Sequence, residues 1–262
     1  MLEISLRVAA HLRFHPPPAI DPPVMQTNQP VLYGLHHVTA ITAHAQKNLD
    51  FYTSILGMRL VKKTVNQDEV SAYHLFYADA IGSPGSDLTF FDWPQIRPTH
   101  IGAGTVSETG LRLLGGEASL ELWVKWFDQR NVRHSGIKTV SDRATLAFQD
   151  EEGQHLRLVA ETESAIPVHP WHATPVPLSA AIVGLSSVTL TVADVGATHQ
   201  FLTDVLGFSN DEGDSTVFET GAGGTGAQLR LLSSAATGRE GADGMPHVAW
   251  HVRNQQKLTT WQ

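Results

Sequence analysis

Two short segments of the sequence carry histidines near the start of a predicted β-strand. Histidine is a frequent metal ligand in proteins. GLHHVTAIT at residues 34–42 contains the adjacent pair His36 and His37, and PHVAWHV at residues 246–252 contains His247. The chain has no cysteine, which excludes thiolate metal sites and cysteine nucleophiles. Two neutral imidazoles brought together would suit a divalent metal. Alternatively, each histidine is a hydrogen-bonded side chain at a strand end.

An internal repeat indicates how such distant segments could meet. Residues 35–57 and 185–207 align without a gap at an offset of 150, and eight positions are identical. Each copy reads as a strand, a turn and a helix that is closed by a glycine, Gly57 or Gly207. About three short strands, rich in β-branched and aromatic residues, follow each copy. Self-similarity of this kind indicates repeated supersecondary units of the form βαβββ.

The sequence predicts three complete modules and the start of a fourth. The fold class is therefore α+β, with repeated modules that form curled mixed sheets around a metal cavity. The later strands of the fourth module are missing, so we expect the chain to be a fragment of a longer protein. The predicted bounds are 31–94 for module 1, 101–163 for module 2, 164–180 for a proline-rich linker, 181–235 for module 3 and 244–262 for the start of module 4.

Residues 1–30 have a different character from the rest of the chain. They begin with a short amphipathic piece and contain five prolines between Pro16 and Pro23. We expect a disordered leader, and we slightly favour a translation start at Met25, downstream of most of it.

Strand alternation predicts which histidines face a common cavity. Adjacent side chains on a strand point to opposite faces, so only one of His36 and His37 is expected to face any one cavity. In residues 185–192 the apolar positions define the face that packs under the helix. The 150-residue offset then puts His36 on the packed face and His37 on the opposite face. The same rule puts His247 on the face of His37, so we expect these two to converge.

The composition narrows the function classes. Apolar residues make up 42% of the chain and charged residues 17%, as in ordinary globular proteins. The net charge of −8 gives no reason to expect a nucleic-acid partner. No apolar run approaches 18 residues, so we expect no membrane span. Together with the absence of cysteine, these features fit a cytoplasmic protein, and we leave open whether it is a homo-oligomer.

The motifs together resemble the ring-cleaving dioxygenase branch of the vicinal oxygen chelate superfamily, which includes glyoxalases and extradiol dioxygenases and is built from βαβββ modules. Within this branch the resemblance is to hydroquinone and chlorohydroquinone dioxygenases, and it covers about residues 31–262. The combination is far more specific than any one motif. The segments that carry it are GLHHVTAIT (34–42), NLDFYTSILGMRLVKKTVN (48–66), YHLFYAD (73–79), GSPGSDLTFFDWP (82–94) and PHVAWHV (246–252).

The resemblance implies an iron(II) centre with two histidines and one glutamate, and manganese(II) is the alternative metal. It assigns the two histidine ligands to His37 and His247. The glutamate belongs to the last strand of the last module, which lies beyond residue 262, so we expect weak or no metal retention and impaired activity. The implied substrates are O₂ and a small dihydroxylated aromatic of the hydroquinone or catechol type.

Ring cleavage also needs a side chain that moves protons. We assign catalytic roles to His36, whose counterpart in relatives lies near the metal, and to Tyr73 and Tyr77 of YHLFYAD. The two tyrosines share one strand face, whereas His74 takes the other. Alternatively, the tyrosines belong to an aromatic stripe of the sheet.

Two other functions remain open. A glyoxalase-like lyase or isomerase would need metal-binding carboxylates from two modules, and Glu161 at the end of module 2 is a candidate. A non-catalytic module that binds a small molecule would need no metal. His251, which shares the face of His247, is the main rival for a ligand role.

Overall fold

The computed structural model describes residues 31–65, 72–162, 164, 166–224 and 226–252, together with the backbone of one strand, β1, at Leu2–Arg7. Within these residues the chain forms three βαβββ modules, followed by the first strand of a fourth. The helices are few, and the strands form two mixed sheets. The predicted α+β fold class is confirmed.

The strands and helices follow the same order in each module. Module 1 contains β2 (Leu35–Thr42), α1 (Ala45–Asp50), β3 (Arg59–Val65), β4 (Tyr73–Ala78) and β5 (Asp87–Asp92). Module 2 contains β6 (Thr105–Leu114), α2 (Gly116–Asp128), β7 (His134–Val140), β8 (Arg143–Gln149) and β9 (His155–Glu161). After a short 3₁₀ helix at Leu178–Ala180, module 3 contains β10 (Ile182–Val192), α3 (Val195–Gln200), β11 (Ser209–Asn210), β12 (Val217–Glu219) and β13 (Gln228–Ser233). The first strand of module 4 is β14 (His247–Val252).

The two sheets pair the modules in the same way. Modules 1 and 4 share a six-stranded sheet in the order β1-β14-β2-β5-β4-β3, and modules 2 and 3 share an eight-stranded sheet in the order β11-β12-β13-β10-β6-β9-β8-β7. In each sheet the first strands of two modules are antiparallel neighbours, β2 with β14 and β6 with β10. In modules 1 to 3 the first strand also pairs in parallel with the last strand of its own module. This topology brings β1 and the strands of module 1 into one sheet with β14.

The helices of modules 1 and 3 end alike. α1 continues into a π-helical turn at Phe51–Ile55, and α3 continues into one at Phe201–Val205. The next glycines, Gly57 and Gly207, have φ angles of 70° and 71°. This left-handed backbone is unfavourable for residues with a Cβ atom, so the predicted role of both glycines in closing the helix is confirmed.

The two faces of the module 1 sheet have different surroundings. The face under the helix is apolar and buried. The other face carries polar groups, where the Thr89 hydroxyl donates to the Thr39 hydroxyl at 3.0 Å and lies 2.9 Å from Nε2 of His74. The predicted alternation therefore holds along β2 from Val38 onward. The buried residues of the helix side include Val38, Ala40, Phe51, Tyr52, Leu75, Tyr77, Leu88 and Phe90.

The structure differs from the predicted disordered leader at the start of the chain. β1 pairs antiparallel with β14, from Leu2 opposite Val252 to Arg7 opposite His247. The sequence LEISLR alternates apolar and polar residues, which is typical of a strand. Its backbone pairs with the N–H and C=O groups on the side of β14 that faces away from β2. A chain that began at Met25 would lack this strand. The other residues of the predicted leader lie outside the described residues.

The core of module 2 forms around α2, the longest described helix at 13 residues. Leu120, Trp123 and Phe127 on one side of α2 are fully buried, and the Trp123 indole donates to the Ala180 carbonyl at 2.7 Å. Leu122 on the other side is 40% exposed. Among the described helices, none combines the length and the apolar character that crossing a membrane requires.

This packing predicts different costs for two leucines of α2. Leu120→Ala removes a fully buried side chain and is expected to lower the free energy of unfolding by about 2–5 kcal/mol. Leu122→Ala is the matched control on the exposed side and is expected to change it by less than about 1 kcal/mol. Urea unfolding of both variants measures the difference. Equal losses would contradict the assignment of the buried face.

Candidate metal centre

His37 and His247 lie on neighbouring antiparallel strands, and their rings meet. The register puts His247 opposite Thr39 and Ala249 opposite His37. The two Nε2 atoms are 2.8 Å apart, and the ring centroids are 4.9 Å apart. Two nitrogens bound in adjacent positions to one metal at about 2.1 Å lie roughly 3 Å from each other. The pair therefore fits two adjacent positions around a single divalent metal.

A β-bulge in β2 brings His36 into the same cluster. Ala249 pairs with His37 and Trp250 pairs with Leu35, so His36 is the extra residue of the bulge. Its Nδ1 lies 3.0 Å from Nδ1 of His37. Strict alternation would separate the two rings, so the expectation that only one of them reaches this cluster is wrong. The bulge interrupts the alternation at this residue.

His251 lies at the edge of the cluster. Its ring centroid is 6.4 Å from that of His36 and 6.2 Å from that of Tyr33. It is therefore next to His36 rather than between His37 and His247.

Two titratable side chains near the imidazole pair have shifted pKa values. Asp87 in β5 lies opposite His37 on the neighbouring parallel strand. Burial raises the pKa of the Asp87 carboxyl to about 6, and the nearby His37 offsets part of this rise. Burial, followed by the influence of His37 and His247, lowers the pKa of His74 to about 4. Both shifts favour the neutral side chain. Asp87 is not among the site residues predicted from the sequence, although alternation from Thr89 puts it on the face of His37.

The described residues offer no third ligand beside the two histidines. In the described part of the chain, no group of three or more histidine, cysteine, aspartate or glutamate side chains could hold a metal ion. Glu161 is the last residue of β9, which belongs to the other sheet. There burial lowers the pKa of the Arg112 guanidinium, and the negative charge of Glu161 offsets part of this shift. The structure thus provides two ring nitrogens that fit a metal but no complete coordination sphere.

Comparison with known proteins identifies the family of the chain. A model of the Glyoxalase/Bleomycin resistance protein/Dioxygenase superfamily matches residues 34–175, more than half of the chain. The chain belongs to this superfamily. The predicted vicinal oxygen chelate architecture is thereby confirmed.

Within the superfamily, the chain is similar to proteins named as dioxygenases. It is 42% identical over 237 residues to "Putative ring-cleaving dioxygenase MhqA" of Bacillus subtilis (strain 168), a match that covers 87% of this chain and 75% of that protein. It is 31% identical over 161 residues to the chlorohydroquinone/hydroquinone 1,2-dioxygenase of Sphingobium indicum, covering 61% of this chain and 50% of that one. The crystal structure of a "putative dioxygenase" from Bacillus subtilis superposes with a TM-score of 0.80 at 30% identity, covering 90% of this chain and 74% of that one. These matches confirm the predicted resemblance.

The two predicted catalytic tyrosines lie on the face of β4 opposite to that of His74, and so not on the face of the imidazole pair. Tyr77 is fully buried on the helix side of the sheet, where its hydroxyl donates to Oδ1 of Asn48 at 2.9 Å. Tyr73 is 45% exposed at the start of β4 and lies under the Lys63 ammonium. The structure brings His74 to the face of His37 instead, because odd and even positions of β4 face opposite sides of the sheet.

A cluster of carboxyl groups links module 1 to module 2. The Asp150 carboxylate accepts hydrogen bonds from three backbone N–H groups in residues 152–154 and from the Tyr52 hydroxyl at 3.1 Å. The Glu152 carboxylate accepts from the Ala43 N–H at 2.9 Å. Burial raises the pKa of Asp150 to about 6 despite these donors. The turn in module 2 therefore holds the start of the module 1 helix through the half-buried Glu152, and the π-helical turn that follows it through the buried Asp150.

Asp243 adds a third carboxyl group to this cluster and leads into β14. Its N–H donates to the Ile41 carbonyl at 3.0 Å, and the Ile41 N–H donates to the Gly244 carbonyl at 2.9 Å. Burial, with the charges of Asp150 and Glu152, raises the pKa of Asp243 to about 8. The Asp243 backbone has a φ of 67°, a left-handed conformation that asparagine adopts readily.

We expect Asp243→Asn to stabilise the protein increasingly from pH 4 to pH 8. The folded chain keeps a proton on Asp243 up to about pH 8, whereas the unfolded chain releases it near its ordinary pKa of 3.8. The folded state therefore binds more protons in this window, and stability falls as pH rises through it. Asparagine removes this dependence. Urea unfolding at pH 4, 6 and 8 measures the change.

Asp142→Asn is the matched control, because Asp142 is exposed and also has a positive φ of 59°. It is expected to change the stability equally at the three pH values. The same pH-independent change in the Asp243 variant would contradict the burial argument.

Proposed function

We propose that this chain is a ring-cleaving dioxygenase that acts with O₂ on a dihydroxylated aromatic of the hydroquinone type. We further propose that it uses iron(II), with manganese(II) as the alternative, and that His37 and His247 bind the metal. The observation that carries the proposal is the 2.8 Å approach of two Nε2 atoms that belong to residues 210 positions apart in sequence. The printed names of MhqA and of the Sphingobium enzyme support the reaction class and the substrate class.

Bound iron(II) would hold O₂ beside the substrate and supply the electron density that ring cleavage requires. The role of His36 is to fix the tautomer of His37. Nε2 of His37 can offer its lone pair to a metal only if the ring carries its proton on Nδ1. Nδ1 of His36 lies 3.0 Å from this Nδ1 and would accept the hydrogen bond from it. A hydrogen bond to the distal ring N–H orients a histidine ligand and makes it more basic.

His74 is proposed to move the proton of the substrate hydroxyl. Its lowered pKa keeps the imidazole neutral at pH 7, so it can accept a proton. Its Nε2 is fixed by the Thr89 hydroxyl, which is in turn bonded to Thr39 beside the metal ligands. The rings of Phe76 and Phe91 lie with centroids 4.0 Å and 4.3 Å from that of His74 and offer an apolar wall to an aromatic substrate.

Metal binding tests the ligand assignment. His37→Ala and His247→Ala each remove one of two ring nitrogens, so we expect each to raise the dissociation constant for manganese(II) or iron(II) by tenfold or more. Equilibrium dialysis with metal analysis, under anaerobic conditions for iron(II), measures the change. His172→Ala, which removes an exposed linker histidine, is the control and should bind as the parent does. Parent-like affinity in both site variants would refute the metal centre.

Oxygen uptake tests the reaction. With excess iron(II), we expect the parent chain to consume O₂ slowly with hydroquinone or catechol, because the described residues provide only two proposed metal ligands. We expect His74→Gln to lower kcat by roughly a hundredfold while the metal affinity stays unchanged, because a proton acceptor is lost and the ligands are not. His172→Gln should behave as the parent. No uptake with either substrate would end the dioxygenase proposal, and an unchanged kcat in the His74 variant would remove its assigned role.

A further inference from the structure

One row of cross-strand neighbours leads from the imidazole pair to a lysine in β3, the edge strand of the six-stranded sheet. His247 lies opposite Thr39, which lies opposite Thr89. Thr89 lies opposite Phe76, which lies opposite Lys62. Residues that are directly opposite each other on neighbouring strands point to the same face of a sheet. Lys62 therefore faces the same side as the proposed metal ligands, three strands away from Thr39.

The ammonium group of Lys62 lies over the ring of Phe76. Its Nζ is 5.3 Å from the ring centroid, within the range of a cation–π attraction. The Phe76 ring is next to that of His74, with 4.0 Å between the centroids. The Lys62 side chain thus extends from the edge strand toward β4, the strand of the proposed proton acceptor.

The charge of Lys62 is not used by an acidic side chain in the described part of the chain, where no carboxylate forms an ion pair with it. The adjacent Lys63 points to the other face, and its Nζ lies 4.1 Å from the Tyr73 ring centroid. Burial raises the pKa of the Asp92 carboxyl, and the charge of Lys63 opposes this rise. Lys63 therefore has an acidic neighbour, whereas the exposed Lys62 is available to a bound molecule.

Both ends of this row favour an anionic ligand. His37 and His247 would hold a dication at one end, and Lys62 supplies an ammonium at the other. Besides burial, which is the main cause, the charges of all three residues lower the pKa of His74, so both ends act on the space around this imidazole. The Asp87 carboxyl lies beside His37 and not at the end of Lys62. A ligand with negative charge toward each end is therefore favoured over a neutral one.

The distance between the two ends fits one substituted aromatic ring. Neighbouring strands lie about 4.8 Å apart, so the imidazole pair over β14 and β2 is roughly 10–12 Å from an ammonium over β4. A metal–oxygen bond, a benzene ring with a carboxylate, and a charge-assisted hydrogen bond together span a similar distance. The rings of Phe76 and Phe91, on either side of His74, offer apolar contacts to such a ring.

We propose that Lys62 is a specificity-determining residue that binds a carboxylate on the aromatic substrate. The substrate class is then a hydroquinone with an acidic substituent, whose hydroxyl end lies at His37 and His247 and whose carboxylate lies at Lys62. An ammonium offers three donors, and its hydrogen bonds to a carboxylate are stronger than those between neutral groups. This inference rests on the proposed function, because it takes the hydroxyl end of the substrate to the metal ligands.

Anaerobic calorimetric titration of the full chain with excess manganese(II) tests the role of Lys62. The ligands are 2,5-dihydroxybenzoate and its methyl ester, a neutral molecule with the same hydroxyl groups. We expect the parent to bind the acid about fivefold more tightly than the ester, as for one charged contact at an exposed position. Lys62→Met removes the charge but keeps an apolar chain over Phe76, and it should abolish this preference. Lys62→Arg keeps the charge and should retain it.

Lys63→Met is the matched control, because it removes the same charge one residue along β3 and on the other face. It should keep the preference of the parent for the acid. Equal affinities of the parent for acid and ester, no detectable binding of either, or an unchanged preference in Lys62→Met would overturn the proposal. An equal loss of preference in Lys63→Met would also overturn it, because only the overall charge would then matter.

Oxygen uptake with the same two compounds and excess iron(II) separates this inference from the proposed function. If the binding preference depends on Lys62 but neither compound supports uptake, the dioxygenase proposal fails and Lys62 is still a carboxylate-binding residue. If both compounds support uptake and Lys62→Met leaves the ratio of their kcat/KM values unchanged, the dioxygenase proposal stands and the role of Lys62 is refuted.

Discussion

The antiparallel pairing of β2 with β14 is the constraint on which the candidate metal centre depends. It joins strands whose histidines are 210 residues apart in sequence. Neighbouring strands lie about 4.8 Å apart, so imidazoles two register positions from each other can meet at their tips. His37 and His247 do so at 2.8 Å, with β5 holding β2 on its other side and β1 holding β14. Any change that shifts this register by one residue would turn one ring to the opposite face.

Burial determines the charge state of the groups around this pairing. It raises the pKa values of Asp87, Asp150 and Asp243, and it lowers that of His74. All four shifts have the same leading cause, the cost of a charge in a low dielectric, and all favour the neutral form. A neutral His74 matters most for chemistry, because it adds no positive charge beside ligands that are proposed to hold a dication.

The two sheets carry different side chains at equivalent register positions. In one, two imidazoles face each other across β2 and β14. In the other, Ser187 and Glu108 take the equivalent register positions, and Arg157 occupies both carboxylate oxygens. The fold fixes where the side chains converge, whereas the residue types at those places decide what can bind.

The features that repeat or alternate could be predicted from the sequence alone. The 150-residue offset identified the modules, Gly57 and Gly207 were recognisable as helix ends, and alternation put His37 and Thr39 on the face away from the helix. The tertiary structure decided what depends on a partner strand. It set the bulge that turns His36 toward His37 and the pairing of LEISLR with β14. It also put His74 beside Thr89 and buried Tyr77 against Asn48. Periodicity is a local property of the chain, but bulges, edge pairing and burial are set by residues distant in sequence, so no pattern within one segment could reveal them.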